Sequence, residues 1–212
     1  MIGKSGCGKS VTMKLITGIL SPDKGQVLID GEDVSGFRQR DWNRVLRQVG
    51  VVFQGAALFD SLSVLENVGI RLFEEKKLER AEIERMAAES LSQVGLNPSE
   101  VLRKFPSELS GGMQKRVGIA RAIIHEPKYV FYDEPTTGLD PVNSSLIDEL
   151  IDSLSKTSDR TSIVITHDMY TVKTIATKVA FLHNKRLHFF GTPAEMFDSD
   201  DVEIQKFLAR SI

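Results

Sequence analysis

Cysteine is nearly absent from this chain: Cys7 is the only one in 212 residues. That excludes an internal disulfide framework and fits a reducing compartment such as the cytoplasm. Charge of one sign is lacking too, since 27 Lys and Arg stand against 29 Asp and Glu, a formal net charge of -2. There is therefore no basic excess to hold nucleic acid and no acidic tail, and composition names no partner. No run of about 18 apolar residues occurs, so no segment is expected to span a membrane. The start, Met1-Ile2-Gly3-Lys4, lacks the apolar stretch of a signal peptide. Any membrane association is expected to come through a partner. Internal repeats and low-complexity segments are missing as well. What is present is 41% hydrophobic residues, enough for one large domain or for a core domain with a smaller one inserted.

The chain is punctuated in a way that places its motifs. Gly8 to about Ile19 predicts a helix, ended by Ser21-Pro22-Asp23. Gln26 to Asp30 predicts a strand closing at Gly31, Arg38 to Arg47 a helix, and Val49 to Phe53 a short apolar strand. From Ser63 to about Val94 the pattern is helical and charged, opened by the capping box Ser63-Val64-Leu65-Glu66. After Pro106 come helix Gly111 to Ile124, strand Lys128 to Tyr132, helix Pro141 to Lys156 and strand Ser162 to Thr166. Such alternation implies a parallel sheet covered by helices. Val179 to His183 and Arg186 to Phe190 predict a hairpin turning at Asn184-Lys185, followed by a short helical tail.

Gly3-Lys4-Ser5-Gly6-Cys7-Gly8-Lys9-Ser10 satisfies G-x-x-x-x-G-K-[ST]. The glycines let backbone N–H groups turn inward on phosphates, and the following helix presents its positive N-terminal end. Lys9 is expected to reach the β- and γ-phosphates and to serve catalysis, and the Ser10 hydroxyl to ligate Mg²⁺. The candidate nucleotide-binding run extends through Val11. Lys128 to Glu134 is an apolar strand ending in an acidic pair. Asp133 is placed to hold the Mg²⁺ shell, and Glu134, one residue further, to accept a proton from an attacking water. Leu109-Ser110-Gly111-Gly112-Met113-Gln114 opens another helix, whose N–H groups offer a second phosphate site. These segments point to an NTPase that binds a nucleoside triphosphate together with Mg²⁺.

Through these motifs the sequence resembles the ATP-binding-cassette (ABC) ATPases along nearly its whole length. The resemblance implies an α/β P-loop NTPase fold with a parallel core sheet and a helical subdomain inserted at about 61–124, the whole chain forming one ABC ATPase domain. It implies that Ser110, Gly111 and Gly112 close over the ATP of a second copy in a head-to-tail homodimer. The family's usual glutamine there is Met113 in this chain, with Gln114 following. Gln54 stands where the family senses Mg²⁺ and its transmembrane partner. Asp140, in Thr137-Gly138-Leu139-Asp140, is the acidic residue of the loop at the dimer interface. His167, in Thr166-His167-Asp168, is the catalytic switch histidine. By contrast His125, His183 and His188 show no metal-ligand spacing, the Cys7 thiol reads as incidental, and Trp42 reads as core or interface.

Two further segments, Val51 to Val64 and Glu108 to Val117, resemble the ATPases of Mla/Mce-type lipid transporters. The implied setting is the cytoplasmic side of a bacterial inner membrane. The implied partners are an integral permease, whose coupling helix packs near Gln54, and an Mce-type substrate-binding subunit. The alternatives are the ATPase of another ABC importer or exporter, or a non-transport ABC clamp acting on DNA or ribosomes. A small-molecule kinase would leave Leu109 to Gln114 without a role. The family also places strands before the phosphate loop and an aromatic residue that stacks on adenine. Only Met1 and Ile2 precede Gly3, so the expectation is a fragment or a gene model begun at an internal start codon.

Overall fold

The computed structural model describes residues 1–157 and 160–209. The first elements are β1 (Ile2–Gly3), α1 (Lys9–Ile16), β2 (Leu28–Ile29), β3 (Glu32–Asp33), α2 (Gln39–Leu46) and β4 (Val49–Val52). A helical stretch follows: α3 (Val64–Glu75), α4 (Arg80–Gln93), α5 (Pro98–Val101), a 3-10 turn (Pro106–Glu108) and α6 (Gly111–Ile123). Then come β5 (Tyr129–Asp133), α7 (Pro141–Thr157), β6 (Thr161–Ile165) and α8 (Met169–Ile175). The chain closes with β7 (Val179–His183), β8 (Arg186–Gly191), α9 (Pro193–Phe197) and α10 (Val202–Leu208). Strands are ordered β1-β7-β8, β2-β3 and β4-β5-β6. The β1–β7 and β4–β5 pairs are parallel and β7–β8 is antiparallel, an α/β architecture. Two compact units divide the chain, one of Met1–Gln48 with Ile163–Ile212 and one of Val49–Ser162, the boundary running through β6.

In the first unit, Ile2 and Gly3 are themselves the strand that feeds the phosphate loop. Ile2 pairs with Phe181 and Gly3 with Leu182. The Met1 amino group donates to Val164 O at 2.6 Å and Thr166 N donates to Met1 O at 3.2 Å. Ile2 is buried with Phe181, Met169, Val179, Ile204 and Phe207. At a free energy of roughly 1.5–3 kcal/mol for each fully buried large side chain, this cluster anchors the short strand. The β7–β8 hairpin turns at Asn184-Lys185, as the sequence predicts, with φ of 48° and 62°. The strand expected over 26–30 is instead the first arm of a tight hairpin, β2–β3. Asp30 and Gly31 adopt φ of 51° and 81°, the left-handed pair that a two-residue turn demands. Trp42 is core, packed with Val34 and Val45.

In the second unit, α3, α4 and α6 pack on one another and α6 lies against β4. Leu65, Ile83, Leu91, Val117 and Ile119 are at most 1% exposed. The helical pattern expected from 63 to 94 is made of two helices, α3 and α4. The charged segment Glu74 to Glu79 offers a single apolar residue, Leu78, to hold a continuous helix. Lys76 turns left-handed with φ of 50° and caps α3.

Candidate functional site

The phosphate loop belongs to the first unit. Gly6 and Gly8 take φ of 76° and 110°, and a Cβ on either would find nothing within 4 Å. α1 opens at Lys9 with Gly8 as its N-cap, and no side chain caps its first N–H groups. Those donors remain for an outside acceptor, and the helix end favours an anion. Lys9 Nζ lies back across the loop, donating to Gly3 O at 2.6 Å and Lys4 O at 3.2 Å. Lys4, Ser5 and Gly6 are exposed, as are Ser10 and Val11 on the first turn of α1. Cys7 is buried, its N–H donating to Lys4 O at 3.2 Å. Uncapped helix amides, an ammonium lying over the loop and an exposed hydroxyl fit a polyphosphate with a bound Mg²⁺ ion.

His167 lies in the same unit, in the turn after β6. Thr166 Oγ1 accepts from Asp168 N at 3.0 Å, and Asp168 Oδ1 accepts from Tyr170 N at 2.8 Å, which caps α8. Because Thr166 N also donates to Met1 O, the exposed His167 turn is tied to the strand that feeds the loop.

The acidic pair belongs to the second unit. Val130, Phe131 and Tyr132 are each 1% exposed and drive β5 inward. Asp133 is its last residue. Glu134 follows with φ of 49°, a left-handed geometry costing a non-glycine residue roughly 1–3 kcal/mol. Thr137 holds it there, its N–H donating to Glu134 O and its Oγ1 to Glu134 Oε2, both at 3.3 Å. Ser110 is the N-cap of α6, its Oγ accepting from Met113 N at 3.3 Å. Gly111 and Gly112 follow in a first turn without acidic residues. Asp140 caps α7: its Oδ1 accepts from Val142 N and Asn143 N, each at 3.1 Å. Asn143 Nδ2 donates to Asp140 Oδ2 at 2.5 Å, and these bonds hold the carboxyl below the usual carboxylate range. Gln54 is exposed after β4, and its carbonyl accepts from the buried Lys115 ammonium.

Several residues that shape these segments carry no motif signal. Gln114 Nε2 donates to Pro106 O at 2.8 Å and so braces the turn before Ser110. Asn67, fully buried, accepts from Phe59 N at 2.8 Å and donates to Phe59 O and Leu62 O at 3.0 Å. It fixes the loop that leads away from Gln54. His183 and His188 pair with Glu203 and Asp201 at 3.5 and 3.1 Å. His125 is set between Arg71 Nη1 at 3.0 Å and Val49 O at 3.2 Å. Among the described residues, no helix is long and apolar enough to cross a membrane.

A sequence model of the ABC transporter family matches residues 1–137. A Mycobacterium leprae protein described as a ribonucleotide transport ATP-binding protein, mkl, is 36% identical over 208 residues, which are 98% of this chain and 59% of that protein. This chain thus spans well under two thirds of that relative's length. The intermembrane phospholipid transport system ATP-binding protein MlaF of Haemophilus influenzae is also 36% identical over 208 residues, covering 98% of this chain and 78% of MlaF. Among solved structures, the dimeric ATP-binding cassette MJ0796 in a post-hydrolysis state with ADP and Pi aligns with a TM-score of 0.81 at 29% identity. That alignment covers 91% of this chain and 83% of the other.

Proposed function

This chain belongs to the ABC transporter family, and from that premise we propose that it binds and hydrolyses ATP to energise a separate membrane permease. The observation that carries the proposal is the phosphate loop: open space around Gly6 and Gly8, an uncapped α1 and the Lys9 ammonium held against the loop backbone. Lys4, Ser5, Cys7 and Val11 complete the nucleotide-contacting run begun by Gly3. Ser10, Gln54 and Asp133 are the residues to hold Mg²⁺, an ion that takes one or two carboxylates plus phosphate oxygens and, when bound, offsets phosphate charge. Glu134 takes the proton of the attacking water, and His167 steadies the γ-phosphate. Ser110, Gly111, Gly112 and Asp140 act across a head-to-tail dimer on the nucleotide of a second copy. The helical segment at about 61–124 is a subdomain within a single ABC ATPase domain.

The cargo we favour is a lipid, because at equal identity this chain covers 78% of MlaF against 59% of mkl. In that setting the ATPase works at the cytoplasmic face of a bacterial inner membrane with a permease and an Mce-type substrate-binding subunit. A groove of about 350 Å³ on the helical segment supports a permease contact: Leu62, Ile70 and Phe73 line it, with Glu66 and Arg80.

Glu134→Gln tests the catalytic part. The amide keeps the shape but takes no proton, so turnover is expected to fall at least about 100-fold while ATP binding persists. Unchanged turnover would remove Glu134 from the role of base. Copurification with a membrane permease tests the transport part, and stable capture of DNA or ribosomes instead would reverse it.

A further inference from the structure

Between the glutamine loop and the acidic strand end lies a cation that the reading above leaves without a task. Lys115 sits on the second turn of α6 and is 7% exposed. A buried ammonium is costly unless its donors are used. Its Nζ donates to the Gln54 carbonyl, and the Glu134 carboxylate is near enough for its charge to act on the ammonium. Burial pushes the ammonium below its ordinary range, and only the Glu134 charge works against that.

The same face of α6 secures the rest of the loop. Arg121 donates to Ala56 O at 2.6 Å and Ala57 O at 2.7 Å. Those two residues hold φ of 59° and 47°, a strained pair that persists only when surrounding bonds over-determine it. Between the two cations, Gly118 has no side chain, and a Cβ there would press on Ala56 Cβ at 3.1 Å. Residues 115, 118 and 121 recur at helical spacing, so the loop backbone rests along one stripe of the helix that starts at Ser110. Of the two cations, Lys115 is the one on which the Glu134 charge acts.

We propose that Lys115 is a positioning residue whose buried ammonium joins the glutamine loop to the turn carrying Glu134, so that the loop and the general base hold their places together. The part concerning the base rests on the role of Glu134 given above; the tether itself does not.

Hydrogen exchange on the purified chain tests this, comparing Lys115→Met, Lys115→Gln and Arg121→Gln. Lys115→Met is expected to speed exchange about tenfold, the size of one lost charge-assisted hydrogen bond, both at 55–57 and at 136–139. Lys115→Gln keeps a donor but no charge, so it should protect the loop and loosen only 136–139. Arg121→Gln should loosen 56–58 alone. Exchange that rises at the loop but stays within about twofold at 136–139 in Lys115→Met would overturn the proposal. So would a uniform rise across α6 and β5, which would make Lys115 a folding residue only. In hydrolysis, Lys115→Met is expected to lower kcat about tenfold at unchanged KM for ATP. If the unsubstituted chain hydrolyses no ATP, the activity reading fails for this chain, while the exchange pattern still decides the tether.

Discussion

Asp140 caps α7, and a substitution separates that task from the dimer contact proposed for it. Its Oδ1 caps α7, a role that asparagine fills as well as aspartate and alanine does not. Asp140→Ala is therefore expected to cost about 1 kcal/mol in urea unfolding, and Asp140→Asn less than about 0.5 kcal/mol. If the charge also serves a dimer, Asp140→Asn should weaken ATP-dependent self-association in light scattering while its unfolding midpoint stays put. Residues of this sort were legible in the sequence because each motif is local: Gly3 to Ser10, Asp133-Glu134 and Ser110 to Gly112 each fold within a few residues of themselves. Lys115 and Arg121 were not, since their partners lie more than sixty positions away, at Gln54 and Ala56. Nothing in a stretch such as Lys115-Arg116-Val117 distinguishes a buried tether from a solvated charge.

At the scale of the element, the capping box at the start of α3 stands as its spacing predicts. Ser63 N donates to Glu66 Oε2 at 2.8 Å and Glu66 N to Ser63 Oγ at 3.3 Å. The Ser63 hydroxyl, donating to Glu66 Oε2 at 2.7 Å, and then the Ser63 N–H hold the Glu66 carboxyl below its ordinary range. Ser63→Ala should destabilise the fold by about 1 kcal/mol, read from the shift in denaturation midpoint at unchanged slope. A loss below about 0.3 kcal/mol would mean that Asn67, bonded to the same loop, already carries the turn. Element types were legible wherever periodicity was strong, as in α6, α7, β5 and the β7–β8 hairpin. The elements misread, or not read at all, are the short ones. The β2–β3 hairpin has two residues in each arm, too few for alternation to show, and α8 is fixed largely by its Asp168 cap and its burial against Ile2.

For the second unit, stability should depend on pH through His125. Burial, and then the nearby Arg71 charge, push its imidazole down to about 4 from 6.5. Its Nδ1 is buried with no hydrogen-bond partner. The unfolded chain takes up this proton near pH 6.5 and the folded chain resists it to about pH 4. Stability from the neutral ring is thus full above pH 6.5 and lost as pH falls through that window, by about 3 kcal/mol in all. Urea melts at stepwise lower pH should show this decline, and His125→Gln should flatten it; an equal slope in the variant would assign the loss to other groups. For the whole chain, ATP with Mg²⁺ at 100 times its Kd should add about 2.7 kcal/mol of stability. A thermal scan should lose that gain with Lys9→Ala, and most of it on chelation of the metal. The sequence by itself determined the α/β class, the family and the motifs on which the proposed nucleotide chemistry rests, because those depend on short contiguous motifs and on hydrophobic period. Only the tertiary structure decided what holds them in place. Ile2 and Gly3 become a strand by pairing with Phe181 and Leu182. The glutamine loop is held by cations on α6, and such contacts are set by packing between distant segments that no local pattern encodes.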